Sequence, residues 1–317
     1  MKAFLSGLVL LVASVPVAAQ YPTKTVRMLV GFTPGGGVDI MARLVAVKLT
    51  ERWGKAVVVE NRPGAAGNIA TEAAAKSAPD GYTVIMAFSS HASNAALYPA
   101  LPFDVTRDFS SITLVATAPV LIVASLSAPA QSLAELIEYA RSHPGAIKYA
   151  SSGVGTPVHL GGELMMQLTG IRMTHIPYKG IAPAMTAMLA GETDITYAAV
   201  LSALQQLKSG RLKALAVAGA RRYPGLPEVP TTAEAGLRGF EIDYWYALLG
   251  PAGIPRAVVQ QIQRDVSASV NSAETRDSLL AQGSIAVGGT PEELDALIKR
   301  EYELWAKVVK AGGVKPE

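Results

Sequence analysis

The segment Val26-Arg27-Met28-Leu29-Val30-Gly31-Phe32-Thr33-Pro34-Gly35-Gly36-Gly37-Val38-Asp39-Ile40-Met41-Ala42-Arg43-Leu44 constrains the chain most. An apolar, β-rich run passes through three glycines into an amphipathic helix, the opening of a βαβ unit. The rhythm continues. Val26–Phe32, Ala56–Asn61 and Thr83–Phe88 read as strands, Asp39–Trp53 and Asn68–Ala78 as helices, with turns at Arg62-Pro63-Gly64 and Pro79-Asp80-Gly81. Short strands alternating with helices of this length predict an α/β domain built on a parallel sheet.

A second series follows the long apolar stretch Ile112–Ser125, which is placed to run from one domain into the next. Helices are expected at Leu133–Ser142, Leu160–Thr169, Ala182–Ala190 and Ala203–Ser209. Strands are expected at Ile147–Ser151, Met173–Ile176, Ile195–Ala199 and Ala214–Ala218. An extended Phe240–Gly250 then leads to helical segments Arg256–Ala281 and Pro291–Ala311, which return to the first domain. The pattern predicts two α/β domains, 20–121 with 244–317 and 122–243, joined by two crossings that make a hinge and an interdomain cleft.

Ligands of open α/β sheets bind outside the carboxyl ends of the strands. The loops expected at the cleft are therefore Thr33–Asp39, Ser89–Asn94, Ser151–His159, Pro177–Gly180 and Ala198–Ser202. In the first, Thr33 and Pro34 precede Gly35, Gly36 and Gly37, glycines that allow positive φ and close backbone approach. Asp39 suits an N-cap or first-turn position. Bare N–H groups at a helix start form an anion site, although a lone glycine turn of this kind also serves as a plain strand-to-helix connection. A nucleotide loop is disfavoured, because neither the Lys-Ser/Thr of a P-loop nor Gly-x-Gly-x-x-Gly spacing is present.

The second loop carries Ser151, Ser152 and Thr156, hydroxyl donors that add no charge; Ser152 and Thr156 could equally cap the helix that begins near Pro157. His159 and Glu163 share a helix face, but two ligands without a third do not make a metal site. Ser89, Ser90, His91 and Asn94 form a polar loop, with no Gly-x-Ser-x-Gly elbow to make its Ser-His pair a hydrolase signature. Tyr178 is placed to close over a ligand and Lys179 to pair with a distal carboxylate. Tyr244-Trp245-Tyr246 packs the hinge, with ligand stacking as the second reading.

The amino-terminal residues set the compartment. Lys2, an apolar Phe4–Val15 and the small residues Val17-Ala18-Ala19 match a secretory signal, and the run is shorter than the roughly 20 residues needed to span a bilayer. The expected mature protein is soluble and periplasmic. With no cysteine, disulfides and a lipidated N-terminal cysteine are excluded. The 28 basic and 25 acidic residues are interspersed, so no nucleic-acid footprint is expected. With 50% hydrophobic but only 6% aromatic residues, Ala, Val and Leu are expected to fill the cores.

Six segments in order carry a resemblance: Phe32-Thr33-Pro34-Gly35-Gly36-Gly37-Val38-Asp39, Val59-Glu60-Asn61-Arg62-Pro63-Gly64-Ala65-Ala66-Gly67-Asn68, Ala78-Pro79-Asp80-Gly81-Tyr82-Thr83, Leu97-Tyr98-Pro99, Ile176-Pro177-Tyr178-Lys179-Gly180 and Pro227-Glu228-Val229-Pro230-Thr231. From Tyr21 to Glu317 the chain resembles the substrate-binding proteins of tripartite tricarboxylate transporters, the Bordetella uptake gene receptors. The resemblance implies a type II periplasmic binding protein, a Venus flytrap of two α/β domains. It also implies that loops Thr33–Asp39 and Ser151–Thr156 hold a carboxylate, largely through backbone N–H groups and ordered waters. Such a receptor is not an enzyme, uses no cofactor, is monomeric, and passes its organic anion to membrane permease subunits. An orphan sensor of the same fold and a secreted hydrolase are the alternative readings. The chain departs from the family at Tyr197-Ala198, where many members carry Phe-Asp. Loss of that acid is expected to favour a carboxylate, dicarboxylate or aromatic acid over an amino acid.

Overall fold

The computed structural model describes residues 21–315 except 99, 179 and 180, so the expected signal segment 1–19 and the Lys179 contact lie outside the described residues. The first elements are β1 (Val26–Val30), α1 (Gly37–Trp53), β2 (Val57–Asn61), α2 (Asn68–Ala75), β3 (Thr83–Phe88) and α3 (Ser90–Leu97). Strands β1, β2 and β3 pair in parallel, with Met28 opposite Val59 and Val84. Met28, Leu29 and Val30 have no exposed surface, as expected of a parallel strand covered on both faces.

The long β4 (Phe109–Ser125) leads to α4 (Leu133–Ser142), β5 (Lys148–Ser151), α5 (Pro157–Thr169), β6 (Thr174–Pro177) and α6 (Ile181–Leu189). Next come β7 (Ile195–Ala199), α7 (Val200–Lys208), β8 (Leu212–Val217) and β9 (Asp243–Pro251). The chain finishes with α8 (Arg256–Val270), α9 (Ala273–Ala281), the short β10 (Ile285–Ala286) and α10 (Pro291–Gly312).

Two sheets share β4. Its first part, Phe109–Pro119, pairs antiparallel with β9, which in turn pairs antiparallel with β3. From Val120 onward β4 pairs instead with β7 and β8, while β7, β5 and β6 run parallel. The apolar stretch therefore does pass from one sheet to the other, and it changes partners between Pro119 and Val120, opposite the start of β9 at Asp243.

Three local differences from the sequence reading have simple causes. The expected helix Arg256–Ala281 breaks at Asn271-Ser272, because the Ser272 side chain caps a new helix by accepting from Thr275 N–H. The expected loop Ser89–Asn94 winds into α3. Helix α5 starts three residues earlier than Leu160, with Pro157 in the first turn and Thr156 as its cap.

Helix α10 ties the two units together. Leu294, Ile298, Glu301, Trp305 and Val308 form its buried stripe. It packs on α3 and β4 and reaches α5, where Gln167 Nε2 donates to the Val308 carbonyl at 3.0 Å. Its start is a capping box: Thr290 Oγ1 accepts from Glu293 N–H, and the Glu293 carboxylate accepts from Thr290 N–H. Thr290→Ala should therefore destabilise the protein by about 1 kcal/mol, lowering the calorimetric melting temperature by about 2 °C. An unchanged melting temperature would show that tertiary packing alone sets the α10 start.

Candidate functional site

The glycine turn between β1 and α1 is held from below by a buried carboxylate. Asp39 Oδ2 accepts from Gly35 N–H and from Arg43 Nε, both at 2.9 Å, and Oδ1 accepts from Asn61 Nδ2 at 2.9 Å. The Arg43 hydrogen bond, supported by those from Gly35 and Asn61, holds the Asp39 pKa down at about 2 against the effect of burial. Asn61 also donates to the Phe32 carbonyl, so β2 fastens both ends of the turn. Of the two positions that the sequence offered for Asp39, N-cap or first turn, the structure gives the first turn. Gly36 occupies the cap position and supplies no side-chain bond, while Asp39 is committed beneath the loop.

The consequence is an open helix start. The N–H groups of Gly37, Val38 and Asp39 have no acceptor among the described residues. Thr33, Pro34, Gly35 and Gly37 are exposed beside them. Only Gly35 needs a left-handed backbone (φ +81°); Gly36 lies at φ −78°, where a Cβ would meet the Thr33 carbonyl oxygen at an ordinary contact of 3.5 Å, which corrects the expectation of positive φ there. At Gly37 the constraint is approach, since a Cβ would stand 2.9 Å from the Tyr246 hydroxyl oxygen.

Tyr246 belongs to an aromatic group at the seam between the sheets. The Phe88 ring lies 5.4 Å from Tyr244, 5.5 Å from Tyr246 and 5.9 Å from Phe32. The Tyr244 hydroxyl donates to the Tyr197 carbonyl at 3.2 Å, tying β9 to β7. The Tyr246 hydroxyl makes no hydrogen bond among the described residues, and burial raises its pKa to about 12, so it stays protonated and able to donate.

The second loop is built differently. Ser151 Oγ lies 2.6 Å from His175 Nε2 and accepts from Gly153 N–H, and the Thr156 hydroxyl donates to the Gly153 carbonyl. Thr156 also caps α5 by accepting from His159 N–H. Ser152 is half-buried and makes no side-chain hydrogen bond among the described residues. Gly155, at φ +76°, packs so closely on Leu97 of α3 that a Cβ would lie 2.0 Å from its Cδ2. The two halves of the molecule thus meet at this loop, and the N–H groups of Val154 and Val158 lack acceptors among the described residues.

Five expected ligand contacts are placed elsewhere by the structure. Ser90 Oγ and Asn94 Nδ2 donate to the Ala66 carbonyl, and Asn94 also to Asn68 Oδ1. They hold Ala65 and Ala66 in left-handed conformations (φ 47° and 53°) that non-glycine residues seldom adopt. His159 is buried with both ring nitrogens engaged, Nδ1 by Gly155 N–H and Nε2 facing Glu163. Tyr197 packs on Phe240 and points its hydroxyl at Met165 Sδ. Ala198 faces the other way, in an apolar cluster with Leu121, Met185 and Val217. Having no exposed surface, Ala198 presents nothing to a ligand, so the missing acid at 198 does not shape the cleft in this conformation. Ser89 is also buried, with its hydroxyl unpartnered, and Tyr178 is half-buried beside Gly153.

With this geometry in hand, the comparisons are specific. The model of the tripartite tricarboxylate transporter family receptors, TctC, matches residues 41–314. The chain belongs to that receptor family. It is 35% identical to Protein BugT of Bordetella pertussis over 95% of this chain and 93% of that protein. Among solved structures it is similar to the R. palustris protein Rpa4515 with adipate (TM-score 0.84, 35% identity, 94% of this chain and 100% of that one). It is also similar to MatC from Rhodopseudomonas palustris with bound malate (TM-score 0.79, 31% identity, 91% and 100%). The receptor's fold is that of two-domain solute-binding proteins, and its relatives are receptors, not enzymes. No helix among the described residues is long and apolar enough to cross a membrane.

Sequence reasoning missed three groups in this receptor. Tyr246 was grouped with its neighbours as hinge packing, although strand alternation separates it. Trp245 packs on the opposite face with Leu29 and Ile85, leaving Tyr244 and Tyr246 on the seam side. Phe88 follows from the same register, opposite Tyr246. His175 had no sequence signal, since only the β5–β6 pairing brings it over His159.

Two stability measurements check the site. Gly35→Ala should cost about 1 kcal/mol in urea unfolding because of its left-handed φ, whereas Gly36→Ala should be neutral or stabilising by up to about 1 kcal/mol. The reverse order would show that Gly36 is the strained position. His175 has its pKa pushed down to about 4, mainly by burial and then by His159. The unfolded chain takes up this proton first, so stability is full above pH 6.5 and is lost as pH falls towards 4. His175→Gln should show a smaller loss between pH 7 and pH 5 than the wild type; equal losses would mean that His175 is solvated like a free histidine.

Proposed function

We propose that this receptor captures a small organic acid by one carboxylate, set against the open start of α1 between the two units, and delivers it to the membrane permease of a tripartite tricarboxylate transporter. The observation that carries the reading is the row of unpartnered N–H groups at Gly37, Val38 and Asp39, with the protonated Tyr246 hydroxyl beside them. A carboxylate completes these bonds and is favoured by the positive end of the helix dipole. The loop of Ser151, Ser152 and Thr156, with the free N–H groups of Val154 and Val158, supplies the opposing half of the cleft.

The flytrap divides into 20–121 with 244–317 and 122–243. The partner change of β4 at Pro119-Val120 and the start of β9 at Asp243 support these limits. Residues 1–19 act as the export signal, and the receptor works as a periplasmic monomer. The adipate and malate bound to two relatives make aliphatic dicarboxylates the first trial ligands.

A thermal-shift screen of mono- and dicarboxylates tests the reading, since a ligand of the folded state at a hundred times its Kd adds about 2.7 kcal/mol of stability. The expected result is stabilisation by at least one carboxylate, with a smaller radius of gyration in small-angle scattering when it is bound. Tyr246→Phe should weaken that ligand about tenfold by removing one hydrogen bond to a charged group. Gly37→Val should weaken it further by obstructing the approach. Stabilisation by amino acids or sugars alone, or full affinity in both variants, would overturn the proposal.

A further inference from the structure

The second loop rests on a group of ionisable side chains, of which His159 and Tyr149 are buried and His175 and Glu163 half-buried. The His159 and His175 rings stack at 4.0 Å with 4° between their planes, and the Tyr149 ring lies 4.8 Å from His175 and 6.3 Å from His159. His159 Nδ1 accepts from Gly155 N–H at 2.9 Å. A backbone N–H can only donate, so the neutral ring must carry its proton on Nε2. That proton faces Glu163 Oε1 at 3.5 Å, and the same oxygen accepts from the Tyr149 hydroxyl at 3.1 Å. Burial works against ionisation of Glu163, but the bonds from His159 and Tyr149 hold its pKa below the usual value, so it is an anion at neutral pH. The arrangement is that of a second-sphere carboxylate fixing a histidine tautomer.

From this geometry we infer that His159 is a positioning residue, whose Nδ1 lone pair sets the conformation of the ligand-facing loop 151–156. The inference rests on the reading of this loop as part of the ligand site. The reason is mechanical. Gly155 is caught between Leu97 on one side and the His159 ring on the other, at a φ that only glycine adopts easily. With Gly155 N–H tied down, those of Val154 and Val158 are the ones left to face the cleft. Loss of that Nδ1 acceptor would leave Gly155 N–H without a partner and release the loop. The titratable groups facing the ring are His175 from β6, Tyr149 from β5 and Glu163 from α5 itself; Tyr197 of β7 lies beyond Tyr149 at 6.4 Å. From α10 the approach is by backbone, with Gly312 beside Glu163 Oε2.

The test uses two near-isosteric variants and nuclear magnetic resonance of the full mature chain. His159→Asn keeps an acceptor at the Nδ1 position, whereas His159→Gln moves it to the Nε2 position. In the wild type, the ring spectrum should show an unprotonated Nδ1 and a protonated Nε2, and the Gly155 amide should exchange slowly. His159→Asn should retain that protection. His159→Gln should exchange the Gly155 amide about tenfold faster or more, the loss expected for one hydrogen bond. Adipate is the binding probe. If it binds the wild type, affinity should fall in His159→Gln and recover in His159→Asn. A protonated Nδ1 in the wild type, or equal Gly155 exchange in the wild type and His159→Gln, would overturn the inference. Should His159→Gln fail to fold, the wild-type ring tautomer still decides. Absence of binding by any carboxylate would count against the proposed function instead, leaving the loop result to stand by itself.

Discussion

A buried anion under an anion site is the interaction on which the first half of this receptor depends. Asp39 is held by Gly35 N–H, Asn61 and Arg43, and these bonds turn the glycine loop so that the first N–H groups of α1 point outward. An aspartate at the cap position would have consumed those donors itself. Displaced by three residues, it fastens the loop from inside and leaves the donors open. Arg43 makes this tolerable electrostatically, since an uncompensated carboxylate so close would repel the ligand's own. The guanidinium is half exposed, so it neutralises Asp39 without being sealed in the interior.

The second dependence is on β4. One strand is shared by two sheets, and its partner change at Pro119-Val120 falls where proline removes a ladder donor. Helix α10 and the Tyr244–Tyr197 bond bridge the same seam.

Most of the fold was legible because parallel strands and amphipathic helices leave periodic traces. The run Val26–Val30, the stretch Ile112–Ser125 and the stripe on α10 were each readable from apolar spacing alone. What failed was local chemistry with tertiary partners. Whether Asp39 caps or locks depends on Asn61, 22 residues away. Whether Ser90 and Asn94 touch ligand or the Ala66 carbonyl depends on where the 65–67 turn lands. The stacking of His175 on His159 exists only because β5 and β6 are neighbours. Glycine clusters mislead for a related reason: three in a row suggest three special conformations, yet here one needs its φ, one needs room, and one needs neither.

Among the described residues of the two loops, the donors that remain open are neutral: backbone N–H groups, the Tyr246 hydroxyl and the Ser152 hydroxyl. For a receptor that must release what it captures, this choice has a physical logic. An unpaired lysine or arginine in a closing cleft would carry a desolvation penalty whenever the ligand was absent. Exposed N–H groups are simply hydrated in the empty state, as the accessibility of Thr33 to Gly35 and of Gly37 allows. Affinity then comes from several charge-assisted bonds formed together as the cleft closes and water leaves, so opening the cleft is enough to dissolve them. The same neutrality explains why His159 matters beneath the second loop. In the proposed site the described donors would hold an anion by their direction, and at the second loop direction is what the imidazole and Glu163 set.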